Sequence, residues 1–390
     1  MSDYSLKPGW KTYRFDQIAI SVTDRVEPDE AEVEHYVGLT HLDSDSLKIR
    51  RWGVPSDVTG TKFLFRKGDI IFGRRRVYQR KLAVAEFDGI CSAHAMVLRP
   101  KTDVVLPEFL PFFMQSDLFM TRALNISVGS LSPTINWRTM ARQEFALPPL
   151  AEQRRIAGVL RTTEEELEAM RQLECDAEVL RKSHIVDAFS KITDDPNTTM
   201  VSVADAGEVL MGRQRSPKYQ QGISPRPYLR VANVFDGYID TTDVNQMDFS
   251  EVEFSKYQLV PGDILLVEGH SSAEVVGRSS IYQGEIPNSC FQNTLLRFRS
   301  RKTSVDYSHH YFRYCLYTGK FAKVAKQTTI AHLGKNRFAA MWFPLIQAKM
   351  EQRVIEELSS IEKSCKAVLQ RREKIEQLKR ALLDATLAFA

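Results

Sequence analysis

The sequence predicts an α+β fold in which two strand-rich domains are separated by two long helices that pair as an antiparallel coiled coil. Two observations support this prediction. Apolar residues recur at helical spacing, with charged residues between them, across two long segments, 147–190 and 346–390. Landmarks that precede the first helix also recur, in the same order, before the second helix. A chain of 390 residues is long enough for such domains to bury hydrophobic cores.

The first strand-rich domain is predicted to span residues 1–146. Runs of β-branched and aromatic residues at 70–72 and 95–98 predict strands, and Asp88-Gly89 predicts a turn between strands. A phenylalanine-rich stretch after the last of these strands predicts a short buried helix. The domain is therefore expected to be mixed, with strands in the majority.

The first long helix is predicted to span residues 147–190, and a polar linker is predicted at 191–197. Pro148 and Pro149 stand at the helix start, where proline is tolerated, and no proline interrupts the segment afterwards. The part of this segment with clear helical spacing, about 37 residues, would form a helix roughly 55 Å long, and helices of that length seldom pack on one compact domain. A partner helix is therefore expected. The residues predicted to face it are Ile156, Leu160, Leu167 and Met170.

The second strand-rich domain is predicted at residues 198–345, and it repeats the plan of the first. Gly262-Asp263 corresponds to Gly68-Asp69, which lies 194 residues earlier. The segment 293–299 likewise takes the place of 94–99. A whole-domain duplication is the simplest explanation, and it predicts two halves related by an approximate two-fold axis.

The second long helix is predicted to span residues 346–390, after a start marked by Pro344. Its apolar residues follow the three-four spacing typical of a coiled coil, although Arg372 and Lys379 interrupt the stripe. The residues predicted to face the partner helix are Val354, Leu358, Ile361, Val368, Ile375 and Leu382. The alternative is that the two helices are amphipathic and pack separately on their own domains.

Composition predicts a cytoplasmic protein and gives only a mild electrostatic signal. No stretch approaches the roughly 18 uninterrupted apolar residues of a transmembrane helix, and the N-terminus lacks the layout of a signal peptide. The five cysteines form no Cys-x-x-Cys pair, which predicts a reducing compartment with neither a disulfide framework nor a zinc site. The formal net charge of +4 permits a nucleic-acid partner, but it does not by itself indicate one.

No catalytic apparatus is recognisable in the sequence. Gly319-Lys320 and Gly334-Lys335 are not followed by the Ser or Thr of a phosphate-binding loop. No lysine has Asp or Glu two positions before it, as common metal-dependent nucleases require, and the G-x-G-x-x-G fingerprint is absent. The adjacent His309-His310 stand beside aromatic residues, so no metal site is predicted. The sequence therefore predicts a chain that does no covalent chemistry.

Three basic clusters lie in or beside predicted turns, one in the first domain and two in the second. Arginine pairs with guanine edges or phosphates, so the clusters favour contact with DNA, although any single cluster is equally typical of a solvated surface. Polar residues at two strand starts either recognise a base edge or satisfy buried backbone groups. The predicted DNA contacts are Arg74, Arg75, Arg76, Tyr78, Arg80, Lys81, His94, Arg213, Gln214, Arg215, Lys218, Gln292, Asn293, Lys326, Thr328 and Thr329.

Over nearly its whole length the sequence resembles the specificity (S) subunits of type I restriction-modification systems. The helix starts, 147–156 and 344–353, look like two conserved regions of that family. The stretch 80–94 looks like one class of its target recognition domains, whereas 212–217 and the run around Arg278 look like another class. On this likeness Arg278 joins the predicted DNA contacts.

The resemblance implies that each strand-rich domain is a target recognition domain for one half of a split DNA target. It also implies that the helices fix the gap between the halves and bind two methyltransferase (M) subunits, and that motor-nuclease (R) subunits join the complex. S-adenosylmethionine, ATP and magnesium are then expected in those partner subunits, with no cofactor in this chain. One departure, an extra length of about four residues between Pro344 and Glu351, leaves the start of the second helix open. The alternative function is a coiled-coil scaffold whose end domains bind proteins.

Overall fold

The chain divides into two compact units. The computed structural model describes residues 6–219, 222–327 and 330–387. Unit 1 comprises Met1–Arg171 with Gln370–Ala390, and unit 2 comprises Gln172–Leu369. Each unit contains sheets, short helices and a part of each long helix, which confirms the predicted α+β class.

Unit 1 is built on two four-stranded sheets and one strand pair. The strand order in the first sheet, which is antiparallel, is Ala19–Val22, Ala95–Pro100, Ile70–Gly73 and Leu82–Val84. The order in the second sheet, whose last pair is parallel, is Arg25–Val26, Lys62–Phe65, Gly89–Cys91 and Tyr36–Val37. The strand pair joins Lys11–Arg14 and Glu144–Leu147. The short α-helices and 3-10 turns are Phe15–Ile18, Pro28–Glu30, Pro55–Asp57, Val77–Gln79, Leu110–Gln115, Asp117–Asn125 and Trp137–Met140.

Unit 2 contains a four-stranded sheet, two three-stranded sheets and one strand pair. The four-stranded order is Gly207–Met211, Leu295–Ser300, Ile264–Val267 and Ser279–Ile281. The three-stranded orders are Asn245–Asp248, Pro225–Leu229 and Cys290–Phe291, and Gly269–His270, Ala331–His332 and Lys326–Gln327. The strand pair joins Thr199–Ser202 and Trp342–Leu345. The short α-helices and 3-10 turns are Val203–Ala206, Pro217–Tyr219, Val231–Asn233, Glu251–Tyr257, Ala273–Val275, Val305–Tyr317, Lys320–Val324 and Lys335–Ala339.

Aromatic side chains occupy the centre of the core in both units. In unit 1 the ring centroids of Phe15 and Phe119 are 5.4 Å apart, and those of Phe119 and Phe145 are 5.5 Å apart. In unit 2 the corresponding distance between Phe312 and Phe343 is 6.0 Å. Rings in such contact bury a large apolar area and also gain from their mutual electrostatics. These cores hold the sheets against the long helices within each unit.

The two units repeat one arrangement around a buried aspartate. Asp69 accepts two hydrogen bonds from Arg99, at 2.7 Å from Nε and 2.8 Å from Nη2. Asp263 accepts the same pair from Arg299, at 2.6 and 2.8 Å. Both carboxylates are almost fully buried, and a bidentate charge-assisted pair is strong in such a place. The Gly-Asp landmark that predicted the duplication therefore has the same structural role in each unit.

Strand register adjusts the correspondence between the units by one residue. Gly73 pairs with Ala95 in unit 1, and Val267 pairs with Leu295 in unit 2. Leu295 is therefore the counterpart of Ala95, one position later than the sequence comparison predicts. Thr294 is consequently the counterpart of His94.

The long helices differ by a few residues from their predicted bounds. The first is Leu150–Asp194, so it includes the first four residues of the predicted linker, and the second is Ala348–Leu387. Pro344 does not open the second helix, because it lies in the strand Trp342–Leu345. A strand pair has open edges, where a proline is tolerated. Each helix begins three residues after the preceding strand ends, so no extra residues precede the second helix.

In unit 1 the two long helices pair antiparallel, as predicted. Glu164 contacts Lys379, whereas Arg171, about two turns further along the first helix, contacts Glu376. Lys379 interrupts the apolar stripe in the sequence, yet its side chain is buried between the helices. Of the predicted pairing residues in this unit, Ile156, Leu160, Leu167 and Ile375 are buried, and Met170 and Leu382 are half-buried.

In unit 2 the long helices also pair antiparallel. The Cys365 thiol lies 3.4 Å from the Ala177 carbonyl oxygen, to which it donates. Further along the first helix, Ile185 and Phe189 share a buried cluster with Leu358 of the second. Of the predicted pairing residues in this unit, Leu358 is buried, and Val354, Ile361 and Val368 are half-buried.

Candidate nucleic-acid interface

Three consecutive arginines in unit 1 follow the buried strand Ile70–Gly73. The amide of Arg74 donates to the His94 carbonyl oxygen (3.1 Å), and its own carbonyl accepts from the amide of Ile135 (2.9 Å). The amide of Arg76 donates to the Pro133 carbonyl oxygen (2.7 Å). Because these bonds fix the backbone on both sides, the three side chains leave the unit from a rigid segment.

The guanidinium groups of this triplet have no carboxylate partner among the described residues. Arg75 Nη1 lies 3.2 Å from His94 Nε2, and both Arg75 and Arg76 approach the Ser132 hydroxyl. Partial burial lowers the pKa of His94, and the charges of Arg75 and Arg74 lower it further. A neutral His94 can then accept from Arg75. Cations without a carboxylate partner are suited to phosphate oxygens or to guanine edges.

A turn beside the triplet carries apolar side chains that the sequence analysis missed. Val128 and Thr134 exchange backbone hydrogen bonds of 3.0 Å, and Gly129 adopts a φ of +115° between them. Val128 is 79% exposed and Leu131 is 90% exposed. Tyr78, a predicted contact on the other side of the triplet, is also exposed. The signal in the sequence was the turn-forming run around Gly129.

Arg80 and Lys81 have a different environment from the triplet. Arg80 forms ion pairs with Asp45 (2.6 Å) and Asp117 (2.8 Å), and it donates to the Gln115 carbonyl oxygen. The ammonium of Lys81 donates to the Leu39 carbonyl oxygen at 2.7 Å. Their contact with DNA remains a prediction, but the donors of both side chains already have partners inside unit 1.

The counterpart of Arg74 in unit 2 is Glu268. The amide of Glu268 donates to the Thr294 carbonyl oxygen (2.9 Å), and its carbonyl accepts from the amide of Leu333 (2.7 Å). These bonds repeat those of Arg74 with the equivalent segments. Unit 2 therefore has Glu268-Gly269-His270 where unit 1 has three arginines. No basic cluster marks this place, so a search for positive charge could not find it.

Glu268 is buried and forms a hydrogen bond with the side chain of His332. Its Oε2 lies 2.9 Å from His332 Nδ1, and its Oε1 accepts from the amide of Gly334 at 3.2 Å. The His332 side chain remains 49% exposed. Gly269 makes room for the ring, because a Cβ atom there would lie 2.6 Å from His332 Nδ1. Arg337 donates to the His332 carbonyl oxygen at 2.8 Å.

Arg213, a predicted contact, is buried at another position in unit 2. It forms an ion pair with Glu253 at 2.8 Å, donates to the Asp248 carbonyl oxygen, and lies 3.6 Å from the ring centroid of Tyr219 and 4.7 Å from that of Phe249. Its contact with DNA remains a prediction, but its guanidinium is already engaged inside unit 2. The neighbouring Gln214 and Arg215 are exposed.

The remaining predicted contacts of unit 2 are distributed over several segments. Arg278 is half-buried over the Phe235 ring (4.7 Å), and burial lowers its pKa. The amides of Gln292 and Asn293 donate to Leu229 and Arg213 carbonyl oxygens, which favours the structural alternative for their backbone. Lys218 lies in the 3-10 turn Pro217–Tyr219, Lys326 lies in the strand Lys326–Gln327, and Thr328 and Thr329 lie outside the described residues.

The described residues contain neither a metal-binding cluster nor a membrane-spanning helix. Within the ranges given above, no group of three or more His, Cys, Asp and Glu side chains could hold a metal ion. None of the described helices is both long and apolar enough to cross a membrane.

Part of the chain is similar to known specificity subunits. Residues 56–175 match the family described as type I restriction modification DNA specificity domain. The chain is 29% identical over 154 residues to the type I restriction enzyme EcoDI specificity subunit of Escherichia coli, covering 39% of this chain and 34% of that one. It is 24% identical over 232 residues to the EcoKI specificity subunit of Escherichia coli strain K12, covering 56% and 50%. The chain thus spans about a third to a half of the length of these relatives.

Solved structures with the same fold cover almost the whole chain. A chain from a structural study of complex assembly and conformational transition of the type I R-M system aligns with a TM-score of 0.64 at 21% identity, covering 98% of this chain and 99% of that one. The type I restriction-modification S subunit from M. genitalium aligns with a TM-score of 0.51 at 13% identity, covering 99% and 98%. At these identities the likeness concerns the fold.

Proposed function

We propose that the chain is the non-catalytic DNA-recognition subunit of a type I restriction-modification complex, because residues 56–175 match the specificity-domain family and two curated specificity subunits are similar to it. Its two strand-rich domains recognise the two halves of a split target, one half each. The long helices determine the length of the unread spacer between the halves.

One observation carries this proposal. The two units repeat the same backbone arrangement at the end of a buried strand, yet the segment that follows is Arg74-Arg75-Arg76 in unit 1 and Glu268-Gly269-His270 in unit 2. Guanine offers acceptors in the major groove, whereas cytosine and adenine offer an amino group. A repeated backbone that carries different side chains at the same position supports recognition of two unlike half-sites.

The arginine triplet supports contact with the DNA backbone as well. The groups of Arg75 and Arg76 are held near Ser132 and have no carboxylate partner among the described residues. Each phosphate that a cation neutralises releases counter-ions, so binding weakens as salt rises, with a slope of about −0.9 per contact in log K against log salt. Affinity should therefore fall steeply with ionic strength.

Partner subunits are proposed to bind along the long helices. Val179 and Leu180 on the first helix and Leu378 on the second are each more than half exposed, at 64%, 54% and 63%. Adjacent exposed apolar side chains such as Val179 and Leu180 support a protein interface, whereas a single one such as Leu378 is common on protein surfaces. Two methyltransferase subunits would bind there, and motor-nuclease subunits would join the assembly. S-adenosylmethionine, ATP and magnesium would be bound by those partners.

Selection of sequences from a randomised duplex library by the purified full-length chain tests the recognition role. The expected result is enrichment of two short specified sequences at a fixed separation. A chain that binds every duplex equally would contradict the proposal. Co-purification with a methyltransferase subunit, compared between wild type and Val179→Asp with Leu180→Asp, tests the proposed helix interface separately.

A further inference from the structure

We propose that His332, oriented by Glu268, recognises a base edge in the half-site of unit 2, at the position that corresponds to Thr134 in unit 1. This inference rests on the proposed function and assigns a specificity-determining residue to it. The base it recognises is one that offers an exocyclic amino group, cytosine or adenine.

Strand register places His332 and Thr134 at equivalent positions. In unit 1, Thr134 pairs with both Arg75 and Val128 across isolated bridges. In unit 2, His332 pairs with both Gly269 and Lys326. Each residue is thus the middle member of three adjacent backbone segments at the end of the buried strand. Because the arginines of unit 1 leave from the neighbouring segment, His332 lies on the face of unit 2 that corresponds to the candidate interface of unit 1.

The ring of His332 is held in one orientation. The Glu268 carboxylate accepts at 2.9 Å from Nδ1, and a carboxylate cannot donate, so Nδ1 carries the hydrogen. Glu268 is itself fixed, because its other oxygen accepts from the Gly334 amide and its side chain is only 8% exposed. A buried carboxylate in this role sets the tautomer and orientation of an imidazole.

In the neutral ring, this arrangement leaves Nε2 of His332 as the acceptor. The two nitrogens lie on different edges of the ring, and the side chain is half exposed, so Nε2 is available for a partner outside the unit. In the major groove, cytosine N4 and adenine N6 are the donors that an acceptor recognises. The missing Cβ of Gly269 is part of the arrangement, since any side chain there would displace the imidazole.

The arrangement also explains why the two units need different sequences at one site. Arg75 occupies the register position of Gly269, and the smaller Thr134 leaves space beside it. Unit 1 therefore presents donors, and unit 2 presents an oriented acceptor. Arg74 and Thr134 of unit 1 are replaced by Glu268 and His332 in unit 2. This replacement changes the chemical group on the base that is recognised, while the backbone arrangement is retained.

Sequence selection with variants of the full-length chain tests the inference. His332→Ala should lower the preference at a single base pair of one half-site by roughly five- to tenfold, the low end of the usual cost of one mismatched pair, and leave the other half-site unchanged. Glu268→Gln retains the acceptor for the Gly334 amide but no longer fixes the tautomer, so it should reduce the preference at the same base pair by less. Glu268→Gln should have no further effect on that base pair in the His332→Ala background.

Thr134→Ala is the matched control, because it alters the equivalent position of unit 1. It should leave the half-site that responds to His332→Ala unchanged. Thermal melting of each variant separates loss of recognition from loss of folding. His332→Phe, which keeps a ring at this half-exposed position but has no nitrogen acceptor, provides a second variant that should also lose preference at the same base pair.

The outcomes distinguish this inference from the proposed function. If His332→Ala and His332→Phe select the wild-type motif with undiminished preference, the assignment of His332 is wrong while the recognition role stands. If the wild-type chain enriches no motif at all, the proposed function fails and the inference fails with it. A loss of preference spread evenly over both half-sites would also overturn the assignment.

Discussion

Replacement of Lys379 with Met should lower the free energy of unfolding of unit 1 by about 3–5 kcal/mol. The Lys379 ammonium contacts Glu164 Oε2 between the two long helices. The side chains of Lys379 and Glu164 are only 6% and 10% exposed. The variant therefore leaves a carboxylate in a buried place without its counter-ion, and removal of one member of a buried pair is strongly destabilising.

The magnitude follows from the few partners that Glu164 has. Its second oxygen, Oε1, is buried and has no hydrogen-bond partner among the described residues. Lys379 also lies over the Phe112 ring, with Nζ 5.9 Å from the centroid, and methionine retains an apolar contact there. Loss of the charge, rather than loss of packing, should therefore dominate the change.

Glu164→Leu combined with Lys379→Met provides the decisive comparison. The double variant removes both charges and fills the space with apolar side chains, so its stability should be within about 1 kcal/mol of wild type or above it. Lys374→Met is the matched control, because Lys374 is exposed on the same helix and its replacement should change stability by less than about 0.5 kcal/mol.

Urea unfolding followed by far-ultraviolet circular dichroism measures these changes. The reasoning predicts a large loss for Lys379→Met and its recovery in the double variant. If Lys379→Met lowered the free energy of unfolding by less than about 1 kcal/mol, water would be solvating the Glu164 carboxylate in place of the lysine. A double variant as unstable as the single one would show that the pair contributes through packing, which would refute the argument.

Three other predictions concern recognition and pH. Arg74, Arg75 and Arg76 changed together to Ala should abolish selection at one half-site and leave circular dichroism unchanged; selection of the wild-type motif would contradict their role. Insertion of seven residues, about two helical turns, in both long helices should lengthen the unread spacer and retain both specified ends, whereas an unchanged spacer would refute the proposed role of the helices. Burial lowers the pKa of His310 from 6.5 to about 4. Between these values the unfolded chain binds a proton that the folded chain does not, so stability should fall by up to about 3 kcal/mol as pH is lowered through this window. Urea unfolding at several pH values should show a flatter dependence for His310→Gln, and an equal dependence would contradict this origin.

The duplication was predictable because few other residues could replace its landmarks. A turn glycine followed by a buried aspartate recurs, and Asp69 and Asp263 each bind an arginine of the neighbouring strand. Loss of the arginine would leave a buried carboxylate without its counter-ion, so the pair marks the same place in both units. The long helices were predictable for a similar reason, since a periodic stripe over 40 residues has few alternative structures.

The candidate site of unit 2 was not predictable from charge. The position of Arg74 is occupied by Glu268, so a search for basic clusters excludes it. Arg213 shows the converse case. It lies in a basic cluster in the sequence, but in the structure it contacts Asp248 and Glu253, which come from distant segments. Spacing does not show which cations find carboxylates or carbonyl oxygens in the folded chain.

The start of the second helix illustrates a local ambiguity. A proline after apolar residues is typical of a helix start, but Pro344 lies in a strand pair. Whether Pro344 begins a helix or lies in a strand depends on whether the residues around it pair with another strand. That partner, the segment Thr199–Ser202, is more than 140 residues earlier in the sequence.

The most direct test of the central claim is a methylation map of DNA from cells that carry this chain with its methyltransferase, compared with cells that lack the chain. The account predicts a new methylated motif with two short specified parts and a fixed gap, present only with the chain. Methylation that is identical in both cells, although the chain co-purifies with the methyltransferase, would contradict recognition of DNA sequence by this protein.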